Sequence, residues 1–147
     1  MSQTVSLRLP DELVSRLDRF ARMLGNGTTR TRASVLLLDE ALREDEFAGI
    51  EFRNTSIGRQ PFIKKSGMAV WEFIMVARGF EMNSERTADY LRVPVESVKA
   101  SLNYYEAYRD EIDQALADNE VGEERLKRMF PHLRVIAFPG KDAEQPV

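Results

Sequence analysis

The sequence predicts a mainly helical protein with a few short strands, built as two small modules and a tail. Three observations carry that expectation. Residues 4–9 alternate polar and apolar with a period of two. Residues 13–42 repeat apolar side chains every three or four positions. Beyond residue 67, short apolar-striped segments are separated by Gly67, Pro94 and polar clusters. These are the patterns of a half-buried strand, of amphipathic helices and of a small helical domain. The expected boundaries are 1–46, 47–119 and 120–147.

Thr4-Val5-Ser6-Leu7-Arg8-Leu9 reads as the first strand, and Pro10 ends it. Asp11 and Glu12 follow, where acids favour a helix start. Leu13, Leu17, Phe20 and Leu24 then mark one helix face, with Val14 and Ala21 beside it, and Gly25 closes the helix. Asn26-Gly27-Thr28-Thr29 is a turn, and Thr29 or Thr31 can cap the next helix. That helix shows Val35, Leu38 and Leu42 on one face, thickened by Leu36, Leu37 and Ala41.

The second module opens near Phe47. Residues 50–53 and 60–64 read as two strands around a five-residue connection, 54–58. A nearly all-apolar helix is expected over 68–80, hence a central one. Short helices follow at 84–91, capped by Ser84, and at 95–105, with Val98 and Leu102 inward. Two more are expected at 106–117 and 123–130, and a strand-like stretch at 133–138.

Composition narrows function by exclusion. Apolar residues make up 43% of 147, enough for a core. There is no cysteine, which removes disulfides, thiolate metal sites and cysteine nucleophiles. His132 is the single histidine, and no glycine-rich phosphate loop or nucleophile elbow is present. A non-enzyme without cofactor or metal is expected. The longest apolar run, near Met68 to Val76, contains Glu72 and is too short for a bilayer. Met1-Ser2-Gln3-Thr4 has no signal-peptide character, so a cytoplasmic location is expected.

Charge is unevenly distributed. The net formal charge is −3, yet residues 1–32 carry six arginines against three acids. Residues 46–147 carry 14 basic and 17 acidic residues. A basic end on an acidic body suits a polyanion-binding end.

A lone six-residue strand cannot satisfy its own edges. Two copies can pair as an antiparallel ribbon, with Val5, Leu7 and Leu9 turned down onto four helices. Dimerisation is then part of folding. The other ribbon face carries Thr4, Ser6 and Arg8, and a two-stranded ribbon fits the major groove of double-stranded DNA. The start of the second helix offers N–H groups beside Thr29, Arg30, Thr31 and Arg32 as a phosphate clamp.

The text "VSLRLPDELVSRLDRFARMLG" with "TRTRASVLLLDEALRE" resembles the ribbon–helix–helix class of Arc-, MetJ- and CopG-like repressors. The resemblance implies a homodimeric operator-binding domain. It places Thr4, Ser6 and Arg8 on base-reading positions, with Thr31 and Arg32 at the phosphate-clamping helix start. The turn over 25–31 is longer than usual for the class.

Residues 84–105 have a helix–turn–helix layout, with Ala88 in the first helix and Val98 in the second. The would-be recognition helix is expected to expose Glu96, Ser97, Lys99, Ser101 and Asn103 amid acidic neighbours, which argues against DNA contact. Residues 49–118 resemble a small domain family of unknown function found in VapB-type antitoxins. The matching pieces are "GIEFRNTSIGRQPFIKKSGMAVWEFIMVARGF", "RTADYLRVPVESVKASLNYYEAY" and "DEIDQALAD". That resemblance implies an antitoxin whose partner is a PIN-like ribonuclease toxin.

Two readings of the tail stand open. Arg125, Lys127 and Arg128, with Leu126, Met129 and Phe130, can enter a toxin's carboxylate-lined site. Alternatively the tail folds back over Trp71. The runner-up to an antitoxin is a stand-alone regulator whose second domain binds a ligand or another protein.

Overall fold

The computed structural model describes residues 1–132; the strand-like stretch expected at 133–138 lies outside them. Among the described residues, six helices and one two-stranded antiparallel sheet account for the regular structure. The chain divides into two compact units, Met1–Arg43 and Glu44–Val147.

In the first unit, residues 1–10 form no helix or strand within one chain. Helix α1 spans Asp11–Leu24 and starts on the Pro10 carbonyl, which accepts the Val14 N–H at 3.1 Å. Its first turn carries Asp11 and Glu12, favourable against the N-terminal end of the helix dipole. Gly25 ends it with φ +69°, a conformation that glycine adopts without a Cβ penalty. Helix α2 spans Arg30–Glu46. Thr29 is its cap, its Oγ1 accepting the Arg32 N–H at 3.1 Å.

The core of this unit is small. Leu17, Ala21 and Ala33 are buried, with Leu9, Phe20 and Leu37 packed partly against them. The stripe expected on α2 is apolar but uncovered: Val35 is 63%, Leu38 53% and Leu42 60% exposed.

The second unit begins with a hairpin. Strands β1 (Ile50–Thr55) and β2 (Gly58–Ile63) pair in register from Ile50 with Ile63 to Thr55 with Gly58. The connection is the two residues Ser56-Ile57 rather than the five expected. Asn54 and Thr55 look like turn residues but pair across the ladder. The Thr55 hydroxyl closes the turn by donating to the Gly58 carbonyl at 2.8 Å. Gly58 itself has φ +113°, a backbone that favours glycine.

Helix α3 (Val70–Gly79) is central, as its all-round apolar sequence predicts. Val70, Phe73, Ile74, Val76 and Ala77 are buried on it. Glu72 accepts the Ala69 N–H at 2.7 Å and secures the start. Helix α4 (Ser84–Leu91) is capped by Asn83, not Ser84: the Asn83 side chain accepts the Arg86 N–H at 2.9 Å. Two good capping types stand side by side, and the one a residue earlier reaches the free N–H.

Arg92 sits in the left-handed region (φ 55°, ψ 46°) and turns the chain into α5 (Val95–Ala107). The core joins Ile50 and Ile63 to Phe73, Ala88, Val98, Tyr104, Ile112 and Leu116. Tyr104 packs against Phe47 and Tyr108 and donates its hydroxyl to Glu111 at 3.0 Å.

Helix α6 (Arg109–Met129) runs for 21 residues and merges the two short helices expected at 106–117 and 123–130. Gly122 is the apparent break, but one glycine costs about 1 kcal/mol and does not stop a helix. The i,i+4 pairs Gln114 with Asp118 and Glu123 with Lys127 flank the stretch on either side. Lys127 and Arg128 suit its C-terminal end. Among the described residues, no helix is long and apolar enough to cross a membrane.

Candidate nucleic-acid interface

The first unit brings an exposed basic segment together with an uncovered apolar face. Thr4, Ser6 and Arg8 are exposed, and so are the interleaved Val5 (75%) and Leu7 (65%). Leu9 alone is half-buried, packed against the small core. It tethers the segment beside α1 and α2. A polar-apolar alternation fully exposed on both faces is an unfinished element, because the period-two pattern serves a sheet with one covered side.

The apolar face is large for so small a unit. Three buried apolar side chains are a small core for 43 residues, and domains this small often lean on oligomerisation or other staples. Covering Val5, Leu7, Val35, Leu38 and Leu42 would return about 1.5–3 kcal/mol for each side chain fully buried.

The α2 start differs in detail from a four-residue clamp. Thr29 spends its hydroxyl on the Arg32 N–H, so that helix-end donor is already satisfied. Arg30 forms a fork with Asp18, Nε to Oδ1 at 2.8 Å and a terminal nitrogen to Oδ2 at 2.9 Å. The hydrogen bond from Arg30 holds the Asp18 carboxyl below its ordinary range, and the same contact raises Arg30. The pair ties α1 to the head of α2. Thr31 and Arg32 are exposed beside it. Sequence spacing gives no sign of this pair, because twelve residues and a turn separate its members.

The helix–turn–helix layout in the second unit is present as α4, the Arg92 turn and α5. Its exposed residues are fewer than expected. Glu96, Lys99 and Asn103 are exposed, but Ser101 is fully buried and donates to the Val98 carbonyl at 2.6 Å. Ser97 is half-buried. The helical period puts Ser101 three residues after Val98, on the core side.

The far end of α6 carries the tail residues singled out above. Arg125, Lys127, Arg128, Met129 and Phe130 are all exposed, and Lys127 pairs with Glu123 at 2.8 Å. His132 is exposed as well. Among the described residues there is no group of three or more side chains able to hold a metal ion. Comparison with family models, with curated proteins and with solved structures gave no match to this chain.

Proposed function

We propose that this chain is a homodimeric, ribbon–helix–helix transcriptional repressor and the antitoxin of a type II toxin–antitoxin pair. The observation that carries the proposal is the exposure of Val5 and Leu7 and of the α2 stripe Val35, Leu38 and Leu42 on a unit with a small core of its own. A second copy supplies matching surface. Residues 4–9 of the two copies pair antiparallel, which satisfies both backbone edges at once. Val5 and Leu7 then face the four helices, and Thr4, Ser6 and Arg8 face outward into the major groove. Bound across a promoter, the dimer excludes polymerase.

Arg32 and Thr31 hold phosphate at the head of α2, while Arg30 serves the Asp18 pair. This division of labour has a measurable consequence. Arg32→Ala should remove two phosphate contacts per dimer and flatten the slope of log K against log salt by about 1.8. Arg30→Ala should change that slope far less. Asp18→Asn, which releases Arg30, should steepen it. Equal slopes for Arg30→Ala and Arg32→Ala would contradict the assignment.

The antitoxin half of the proposal rests on the end of α6. Three cations beside Met129 and Phe130 suit a PIN-like ribonuclease, whose acidic cluster normally holds magnesium. The cations pair with those carboxylates and displace the ion. Co-expression tests this. Arg125→Glu combined with Arg128→Glu should abolish toxin neutralisation and co-purification, while the promoter shift in a gel assay stays as in the wild type. Full neutralisation by this variant would place the inhibitory surface elsewhere.

A further inference from the structure

The second unit holds a groove of about 800 Å³ between β2, α3 and α6. Its floor is mostly apolar and includes Trp71, Met75 and Leu126. Its lining carries more acids than cations: Glu72, Glu111, Asp118 and Glu123 against Arg59, with Glu123 paired to Lys127 at 2.8 Å. Glu72 and Asp118 accept hydrogen bonds from neutral donors, the Ala69 N–H and the Gln114 amide, which leaves their charge in place. Trp71 gives its indole N–H to Gln60 at 3.4 Å, and its ring remains part of the groove wall.

We infer that the occupant of this groove is the chain's own segment 133–138, laid back along α6. Three features select it. The first is where the described chain ends. Leu126, part of the groove lining, lies one turn before the end of α6, and Pro131-His132 form a turn just beyond. A chain leaving that turn starts beside the groove. The second is length. From Leu126 to Glu111, α6 measures about 22 Å at 1.5 Å per residue. Six extended residues cover about 20 Å at 3.3 Å each.

The third is chemistry. Residues 133–138 are Leu-Arg-Val-Ile-Ala-Phe. They bring apolar side chains for the floor, one cation, Arg134, for the acidic lining, and no carboxylate. The inference goes beyond the proposed function, since Arg125 and Arg128 do not line the groove and stay free for a partner.

The full chain supplies its own probes, having no cysteine and a single tryptophan, Trp71. Asn119→Cys, in the groove wall, is combined in turn with Val135→Cys, Ile136→Cys and Ala137→Cys, and each double variant is oxidised at low concentration. At least one should form a disulfide within a single chain. No disulfide in any of the three, or disulfides only between copies, overturns the inference. In parallel, Phe138→Asp should shift Trp71 emission to the red and raise its quenching by acrylamide. Emission and quenching equal to the wild type overturn it too. Phe138→Asp should bind operator normally, because residues 1–46 are untouched. Failure here is therefore distinct from failure of the repressor proposal.

Discussion

Leu7→Lys should turn the dimer into a monomer. Sedimentation should report the mass of one 16.9 kDa chain, where the wild type gives twice that value. Burying a leucine is worth about 1.5–3 kcal/mol. A buried ammonium without a partner adds several kcal/mol more against assembly. Two copies per dimer bring the loss to the scale of a whole small domain's stability, about 5–15 kcal/mol. The first unit should therefore unfold, and operator binding should vanish with it. The second unit has its own core around Phe73 and Tyr104, so one thermal transition should remain. Leu7→Met, which keeps volume and polarity, should stay dimeric. A dimeric Leu7→Lys protein that binds operator would mean that Leu7 lies on the outer ribbon face.

Arg8→Ala should have the largest effect on sequence discrimination. An arginine forked onto guanine is worth about 1–3 kcal/mol of discrimination, once in each half-site. Losing both arginines should cost roughly 10- to 10⁴-fold in affinity for the operator, at about 1.4 kcal/mol per tenfold. Random DNA should lose much less, since only the electrostatic part applies to it. Competition titrations with operator and random duplexes separate the two. Equal losses on both would reassign Arg8 to phosphate.

The elements with strong local signals were legible in the sequence. Helix α1 follows from Leu13, Leu17, Phe20 and Leu24 with Gly25 as its stop, and it spans Asp11–Leu24. The central place of α3 follows from its lack of a polar face. Four features escaped, each for a physical reason. Periodicity says that Val35, Leu38 and Leu42 share a face, but it is silent on what covers that face. Among the described residues nothing does. The continuity of α6 escaped because residues 118–122, Asp-Asn-Glu-Val-Gly, offer no apolar stripe, yet the helix runs on through them. The Asp18–Arg30 fork joins residues on different helices, and only the fold brings them to 2.8 Å. It changes the clamp, since an arginine that looked free in the sequence already has a carboxylate. The groove beside Trp71 escaped for the same reason: its walls come from a strand and two helices far apart along the chain.

Selection of binding sites from random double-stranded DNA, followed by mass measurement of the complex, tests the central claim most directly. A ribbon dimer with two-fold symmetry should enrich an inverted repeat, with guanine at related positions in both halves for Arg8. Each selected half-pair should carry two chains. No enrichment over random sequence, or a complex holding one chain per site, would contradict a ribbon–helix–helix dimer that reads DNA.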